Sequence, residues 1–441
     1  MLKSILILGA GRSSSSLISY LLAASKTNDW NITVGDFSIE AARDRIGSAT
    51  GQAIQFDITK PESREAIAKA DVVISLIPAN LHPLVAKLCL QEGKHLLTAS
   101  YVSDEMKSFG KEAHEKGLLF LNECGLDPGI DHMSAMQVID KIKAQGGKLL
   151  SFESFTGGLI APQTDPQNLW RYKFTWNPRN VVMAGQGTAK FLQDGKYKFI
   201  PYQQLFKRTT PVAVSGYGEY EGYANRDSLK YLESYGLSGI KTMIRGTLRN
   251  KGYCDAWNVL VQLGCCDDTY VIENLDSFTH QDFLSLFVDS NSTSLEKILC
   301  QLFNLSPDGE EMKRLRWSGF FTDEKIGLSQ GTPAQVLEHI LQKRWKLVAG
   351  DKDFIVMWHR FGFELDGKNR VMEAYLTCTG INENNTAMAQ TVGLPLAIAA
   401  KLLMQGKIKS RGVVVPVSAE FYNPILEELG TLGIKLEENE R

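Results

Sequence analysis

The chain has 441 residues, 44% of them hydrophobic and 22% charged, the balance of an ordinary globular protein with room for roughly two to three domains. A formal net charge of −2 excludes the basic footprint of a nucleic-acid or anionic-membrane binder, and seven scattered cysteines without a CxxC pair (Cys89, Cys124, Cys254, Cys265, Cys266, Cys300, Cys378) indicate neither a metal site nor a disulfide framework. The apolar start from Met1 to Ala10 is cut short by Arg12 and serines with no cleavage pattern after it, and no run of about 18 apolar residues occurs, so a cytoplasmic chain without a transmembrane helix is expected.

Ser4-Ile5-Leu6-Ile7-Leu8 reads as a fully buried parallel strand. Gly9-Ala10-Gly11-Arg12-Ser13-Ser14 and a helix-compatible Leu17 to Ala24 follow, the Rossmann turn pattern with serine in the third glycine position. The glycines permit a tight turn and close approach to a pyrophosphate, which the N–H groups at the helix start and the hydroxyls of Ser13 to Ser16 would bind. A second strand, Asn31 to Gly35, ends at Asp36, where a carboxylate would hydrogen-bond the adenosine ribose. It would also repel a 2′-phosphate: at about 4 Å and an effective dielectric of about 20, a like-charge pair costs on the order of 4 kcal/mol. Arg12 or Arg43 could offset that, and Asp36 serves equally as the cap of a helix beginning near Ser38.

The alternation continues through Ala53 to Phe56, with Asp57 placed to meet adenine or ribose. Val72 to Ile77 is stopped by Pro78, Pro83 to Gln91 is helical, His95 to Thr98 runs into Ser100-Tyr101, and Leu118 to Leu121 runs into Asn122-Glu123-Cys124-Gly125-Leu126-Asp127-Pro128-Gly129-Ile130-Asp131-His132. Six strands joined by helices predict a doubly wound parallel sheet with ligands beyond the carboxyl ends of its strands. The last stretch then lies beside a nicotinamide, with Asp127 facing substrate and Asp131 capping the next helix; taken alone it is as readily a domain linker.

From Leu149 the pattern changes. Leu150 to Thr156 reads as a strand ending at Gly157-Gly158, and Trp170, Tyr172, Phe174 and Trp176 share one face of an extended segment, a core stripe rather than a stacking platform. Lys241 to Arg249 is a strand, residues 256–344 are mainly helical, and Phe354 to Glu364 with Val371 to Cys378 form an antiparallel hairpin across Asp366-Gly367. Residues 388–405 form an apolar helix, and Glu437 to Arg441 fray. Arg226, Arg245 and Arg249, near glycines, suit a carboxylate-bearing substrate and are equally compatible with surface ion pairing. The seven histidines are dispersed, with only His132 at the junction.

These motifs together resemble the glutamate-forming saccharopine reductase (saccharopine dehydrogenase) family essentially end to end. The resemblance rests on Ser75-Leu76-Ile77-Pro78, Ser100-Tyr101-Val102-Ser103 and Gly125 to His132. It continues through Gly157-Gly158-Leu159 with Ala161-Pro162, Tyr172-Lys173-Phe174-Thr175-Trp176, Asn225-Arg226-Asp227, Arg245-Gly246-Thr247-Leu248-Arg249 and Arg411-Gly412-Val413. It implies an α/β chain: a Rossmann domain over residues 1–128, and a second α+β domain for substrate binding and dimerisation over 129–255 and 345–390. A helical insertion would occupy 256–344, and 391–441 would return to the Rossmann domain.

The implied reaction is the NAD(P)-dependent condensation of glutamate with α-aminoadipate semialdehyde to saccharopine, or its reverse, in lysine metabolism, by a homodimer. It implies a saccharopine site of Ser100, Tyr101, Asp127, Arg226, Arg245, Gly246 and Thr247, with Asp127 or Tyr101 handling the proton. Cofactor contacts would come from Gly9, Gly11, Arg12, Ser13, Ser14, Gly35, Asp36, Asp57, Leu76, Ile77, Thr98, Asp127, Gly129, Ile130, Asp131, His132 and Trp176. Two departures stand out. Asp36 occupies the region where the fungal reductases carry an arginine suited to NADPH, so NAD is favoured over NADP. Thr156 replaces the family's cysteine before the Gly-Gly pair, so no thiol role carries over. The length leaves room for one activity rather than a fused lysine-ketoglutarate reductase. The rival readings are a carboxynorspermidine or homospermidine synthase, disfavoured by the arginines, and a dinucleotide-binding protein without turnover.

Overall fold

The computed structural model describes residues 3–184, 186–289 and 294–440. Met1, Leu2, Gly185, residues 290–293 and Arg441 lie outside them, and with them the first residues of the expected apolar start, part of the helical insertion and the last residue of the acidic end. The described chain groups into two units, one of residues 1–149, 363–370 and 376–439, the other of 150–362, 371–375 and 440–441.

In the first unit, short segments of three to six residues separated by helices form strands β1 (Ser4–Leu8), β2 (Asn31–Asp36), β3 (Gln52–Gln55), β4 (Val72–Ser75), β5 (His95–Thr98) and β6 (Leu119–Leu121), with the continuous apolar runs in β1, β4 and β6. Later strands are β7 (Lys148–Ile160), β8 (Ala189–Gln193), β9 (Lys196–Ile200), β10 (Thr209–Val214), β11 (Gly218–Ala224), β12 (Thr242–Asn250), β13 (Asp353–Leu365), β14 (Lys368–Thr379), β15 (Gly412–Val414) and β16 (Leu436–Glu440). The first sheet is entirely parallel, in the order β15-β6-β5-β4-β1-β2-β3. The strand order runs outward from β1 one way to β2 and β3 and the other way to β4, β5 and β6, which makes it a doubly wound sheet with a switch point between β1 and β4. Ile5 to Leu8 and Val72 to Ile74 are at most 1% exposed, and each such side chain contributes about 1.5–3 kcal/mol by leaving water.

The short strand β15 extends the sheet beside β6, with Gly412 opposite Leu119. The helix Ala387–Met404 is 18 residues long and apolar enough to cross a membrane, yet it is mostly buried within the protein. Its Gly393 lies where a Cβ would sit 3.1 Å from Leu17 and 3.2 Å from the Ser13 carbonyl. The close approach that a third glycine of the N-terminal turn would provide is thus provided from the other side. The helix Ile130–Ala144 stays with the first unit, so the break between units falls at 149/150.

The second sheet runs β10-β11-β12-β7-β13-β14-β16, with the hairpin β8–β9 attached to β12. Asp366 (φ 53°) and Gly367 (φ 72°) make the tight turn between β13 and β14 that the Asp-Gly signal predicts. Several expectations are corrected. Strand β7 does not stop at Gly157-Gly158 but runs through them, because a Cβ on Gly157 would meet the Leu248 carbonyl at 2.9 Å; the glycine permits strand approach rather than a turn. The acidic end is paired as β16 rather than frayed. Asp131 is not the helix cap: Gly129 holds that position, and Asp131, inside the first turn, accepts the Gly129 N–H at 2.6 Å. Trp170, Tyr172 and Phe174 are core residues, packed around Trp345 with centroids 5.0–5.3 Å apart.

Candidate active site

The glycine turn sits at the carboxyl end of β1. Gly9 (φ 105°) would place a Cβ 3.0 Å from the Leu76 carbonyl, so only glycine lets the turn lie against β4's exit. Gly11 has nothing within 4 Å of where its Cβ would be, an open face at the start of the helical turn Arg12–Ser14 and the helix Ser15–Asn28. A bare backbone at a helix N-terminus fits a pyrophosphate, so the residues present suit a dinucleotide. The serines are a partial correction. The Ser14 hydroxyl donates to the Gly11 carbonyl (2.8 Å), Ser15 to the Asn384 carbonyl (3.0 Å) and Ser16 to Asn385 Oδ1 (2.9 Å), which leaves phosphate contacts to the backbone and Ser13.

Asp36 ends β2 with both oxygens engaged: Oδ2 accepts the Ala10 N–H at 2.7 Å and Oδ1 the Ser38 N–H at 2.9 Å. Ser38, not Asp36, caps the helix Ile39–Ile46. Asp36 thereby fixes the glycine turn. Replacing it by Ala is expected to weaken binding of NAD and NADP alike, several-fold each, by fluorescence titration; improved NADP binding with NAD unchanged would mean that it only selects against the 2′-phosphate. Gly35 is held close to Phe56, where a Cβ would approach to 2.9 Å. Asp57, which its sequence position sets towards a ribose, is half-buried and folded onto Thr59, whose N–H (2.9 Å) and hydroxyl (2.7 Å) hold the carboxylate below its usual range.

At the ends of β4, β5 and β6 the side chains converge. His82 bridges Ser75 Oγ at Nδ1 (2.9 Å) and Ser100 Oγ at Nε2 (2.8 Å), with Thr98 Oγ1 3.2 Å from Nε2. Burial pushes its pKa from 6.5 down to about 4. The folded chain therefore resists a proton that the unfolded chain takes up below about pH 6.5, so this contribution to stability is whole above that pH and is lost as pH falls towards 4. It is worth on the order of 3 kcal/mol at full span. Urea unfolding of wild type should lose stability more steeply over pH 6.5–4 than His82→Gln; parallel curves would contradict this.

Tyr101 donates its hydroxyl to Asp127 Oδ1 at 2.8 Å. Asp127 sits on a loop closed by Gly125 N–H to the Pro128 carbonyl (2.9 Å) and Ile130 N–H to the Gly125 carbonyl (2.8 Å), with a cis Asp127–Pro128 peptide. His132 and Asp131 turn inward, 0% and 1% exposed, so they support this loop rather than present their side chains at its surface. Beneath it Glu123, 2% exposed, receives His132 Nε2 at 2.8 Å. Burial pulls its pKa up, but the His132 bond and charge and the Val102 N–H outweigh that and hold it below the usual carboxylate range.

In the second unit, Gly246 lies where a Cβ would be 2.3 Å from the Tyr223 carbonyl, which keeps the backbone between Arg245 and Thr247 bare. The Arg245 guanidinium stacks 4.3 Å from the Tyr231 ring centroid, and Thr247 Oγ1 accepts from Asn225 Nδ2 at 3.1 Å. Arg226 has φ 47°, a left-handed turn residue between β11 and the turn Ser228–Tyr231. Trp176 is half-buried against this unit's core. Arg249 does not join a carboxylate-facing set. It is buried among the rings of Tyr172 (5.1 Å), Tyr253 (5.2 Å) and Tyr223 (5.9 Å). Sequence reading gave Glu123 and His82 no role; their signal was only adjacency to the ends of strands.

Comparison with known proteins assigns residues 5–121 to the Saccharopine dehydrogenase NADP binding domain and residues 125–434 to the Saccharopine dehydrogenase C-terminal domain. The chain belongs to the saccharopine dehydrogenase family. It is 33% identical to the saccharopine dehydrogenase [NADP(+), L-glutamate-forming] of Saccharomyces cerevisiae, over 99% of each chain. The apo structure of the S. cerevisiae saccharopine dehydrogenase (L-Glu forming) superposes with a TM-score of 0.89 at 32% identity, covering 100% of both. It is also 36% identical to the mitochondrial alpha-aminoadipic semialdehyde synthase of Rattus norvegicus, over 98% of this chain and 47% of that protein. The chain thus spans about half the length of that relative and nearly all of the fungal one. Family membership supports NAD(P) use and favours NADP, against the preference for NAD drawn from Asp36. The engagement of Asp36 by two backbone N–H groups explains why that carboxylate is a poor guide to the choice.

Proposed function

We propose that this protein is a glutamate-forming saccharopine dehydrogenase, joining glutamate to α-aminoadipate semialdehyde through an imine that is reduced to saccharopine, or running the reverse. A nicotinamide dinucleotide, when bound, would supply or accept the hydride at the substrate carbon. The chain's own residues divide the remaining work. The glycine turn from Gly9 to Ser13, with Gly35, Asp36, Leu76, Ile77, Thr98 and the loop from Asp127 to Ile130, holds the dinucleotide, and the buried Asp131 and His132 support that loop from behind. Ser100, Arg226, Arg245, Gly246 and Thr247 orient the substrate, the arginines taking its carboxylates. Tyr101 and Asp127 pass the proton at the substrate nitrogen or at the water that hydrolyses the imine. The observation that carries this reading is the 2.8 Å Tyr101–Asp127 hydrogen bond at the strand ends, in a chain that matches the fungal enzymes from end to end. A homodimer and a cytoplasmic location belong to this proposal.

Absorbance at the reduced-nicotinamide band, followed with saccharopine and NAD or NADP in separate reactions, tests it. Saccharopine-dependent reduction with glutamate as product supports the proposal. No reduction with either cofactor, and turnover of a diamine instead, would replace it with the polyamine-forming chemistry.

A further inference from the structure

Glu123 occupies an unusual position. Its φ of 56° lies in the left-handed region, uncommon for a residue with a side chain, and its carboxylate is buried among backbone groups. A buried carboxylate is costly unless its lone pairs are satisfied, and the partners here come from two different loops. Oε1 accepts the Val102 N–H at 2.9 Å, on the loop that carries Ser100 and Tyr101. Oε2 meets His132 Nε2 at 2.8 Å, on the helix that follows Asp127. Its own N–H donates to the Ser100 carbonyl at 3.1 Å. On the far side His132 Nδ1 lies 3.7 Å from Asp131 Oδ2, and the other Asp131 oxygen holds the Gly129 N–H at 2.6 Å. Hydrogen bonds therefore run from Val102 through Glu123 to His132, and Asp131, beside that ring, holds Gly129. The Tyr101–Asp127 bond connects the same two loops directly.

We infer that Glu123, through His132, is a positioning residue for the Tyr101–Asp127 pair, and that it sets the separation at which that pair handles the proton. It touches neither substrate nor dinucleotide. The inference rests on the proposed roles of Tyr101 and Asp127. A proton-transferring pair is sensitive to small displacements, and a misplacement of about 1 Å can cost on the order of 10²-fold in rate. Substrate and dinucleotide binding is spread over many groups besides this pair, so it depends far less on such a displacement.

The test compares wild type, Glu123→Gln, His132→Gln, Tyr101→Phe and the double variant Glu123→Gln/Tyr101→Phe in saccharopine oxidation, with dinucleotide affinity from fluorescence titration and folding from thermal melts. Expected is a fall in kcat of roughly tenfold or more for Glu123→Gln. KM for saccharopine and Kd for dinucleotide should stay within about threefold, and the double variant should be little slower than Tyr101→Phe alone, because Glu123 acts through that pair. Near wild-type kcat in Glu123→Gln, or full additivity in the double variant, overturns the inference. Should Glu123→Gln fail to fold, His132→Gln, which removes only the second link, must show the same split and the same non-additivity with Tyr101→Phe, and its failure to do so is decisive. Wild type inactive on saccharopine would instead remove the functional proposal, and an active Tyr101→Phe the role of the pair.

Discussion

Asp127→Ala and Tyr101→Phe are each expected to lower kcat for saccharopine oxidation by on the order of 10²- to 10⁴-fold, the range that a positioned general acid or base contributes. The two side chains share one hydrogen bond of 2.8 Å, so each variant removes one end of the same pair. Tyr101→Phe keeps the ring and loses only the donor. Asp127→Ala loses the acceptor without disturbing the loop closure, which is made by backbone groups of Gly125, Pro128 and Ile130. Because the proton moves only as the transition state forms, the loss should fall on kcat and kcat/KM equally, with KM changed little. Steady-state rates with saccharopine and either nicotinamide cofactor measure it. Near wild-type kcat in both variants would sink the assignment. A rise in KM at unchanged kcat would make the pair a substrate-binding element instead.

The parallel sheet was legible because its physics is local and repetitive. A strand covered on both faces must be a continuous apolar run, as Ile5 to Leu8 and Val72 to Ile74 are, and the crossover between two such strands must be helical. Asp366-Gly367 was legible for a similar reason, since two residues with positive φ leave few choices of residue. What failed were inferences in which one residue type serves two ends. Gly157 looks like a stop but is a site where β12 comes close. The acidic end from Glu437 looks like a frayed tail, but the pairing of β16 with β14 is a backbone matter that side-chain polarity does not report. The edge hairpin β8–β9 was missed because its alternation is weak, with Lys196 to Phe199 all facing solvent.

The site shows the same division. Glycines at Gly9 and Gly11 announce a phosphate-binding turn, the first because only glycine fits there and the second because its bare backbone leaves a phosphate room to approach. A carboxylate such as Asp36 announces nothing so definite. The sequence cannot say whether it meets a ribose, caps a helix or, as found, ties the Ala10 and Ser38 N–H groups. His82 and Glu123 belong to networks whose members come from different strands, and no spacing along the chain encodes them.

Gly129→Ala is expected to cost about 4 kcal/mol or more of stability, beyond the usual range for a point substitution. Gly129 has φ 149°, and a Cβ there would lie 2.1 Å from the Gly125 oxygen and 2.2 Å from its nitrogen. Those are backbone atoms, held by Gly125 N–H to Pro128 and by Ile130 N–H to the Gly125 carbonyl. Neither can withdraw without breaking the loop that carries Asp127 and the first turn of the helix behind it. At about 2–4 °C per kcal/mol for a domain of this size, the melting temperature should fall by roughly 10 °C, with activity lost in the same variant. Gly11→Ala is the matched control, since nothing lies within 4 Å of its Cβ position. Its melting temperature should stay at the wild-type value while dinucleotide affinity falls about tenfold or more, because the open face is the one a pyrophosphate would approach. Thermal unfolding without ligand, followed by dinucleotide titration, separates the two. A Gly129→Ala protein that melts like wild type would mean that the Asp127 loop relaxes freely, and the tight geometry that presents Asp127 to Tyr101 would then need another source.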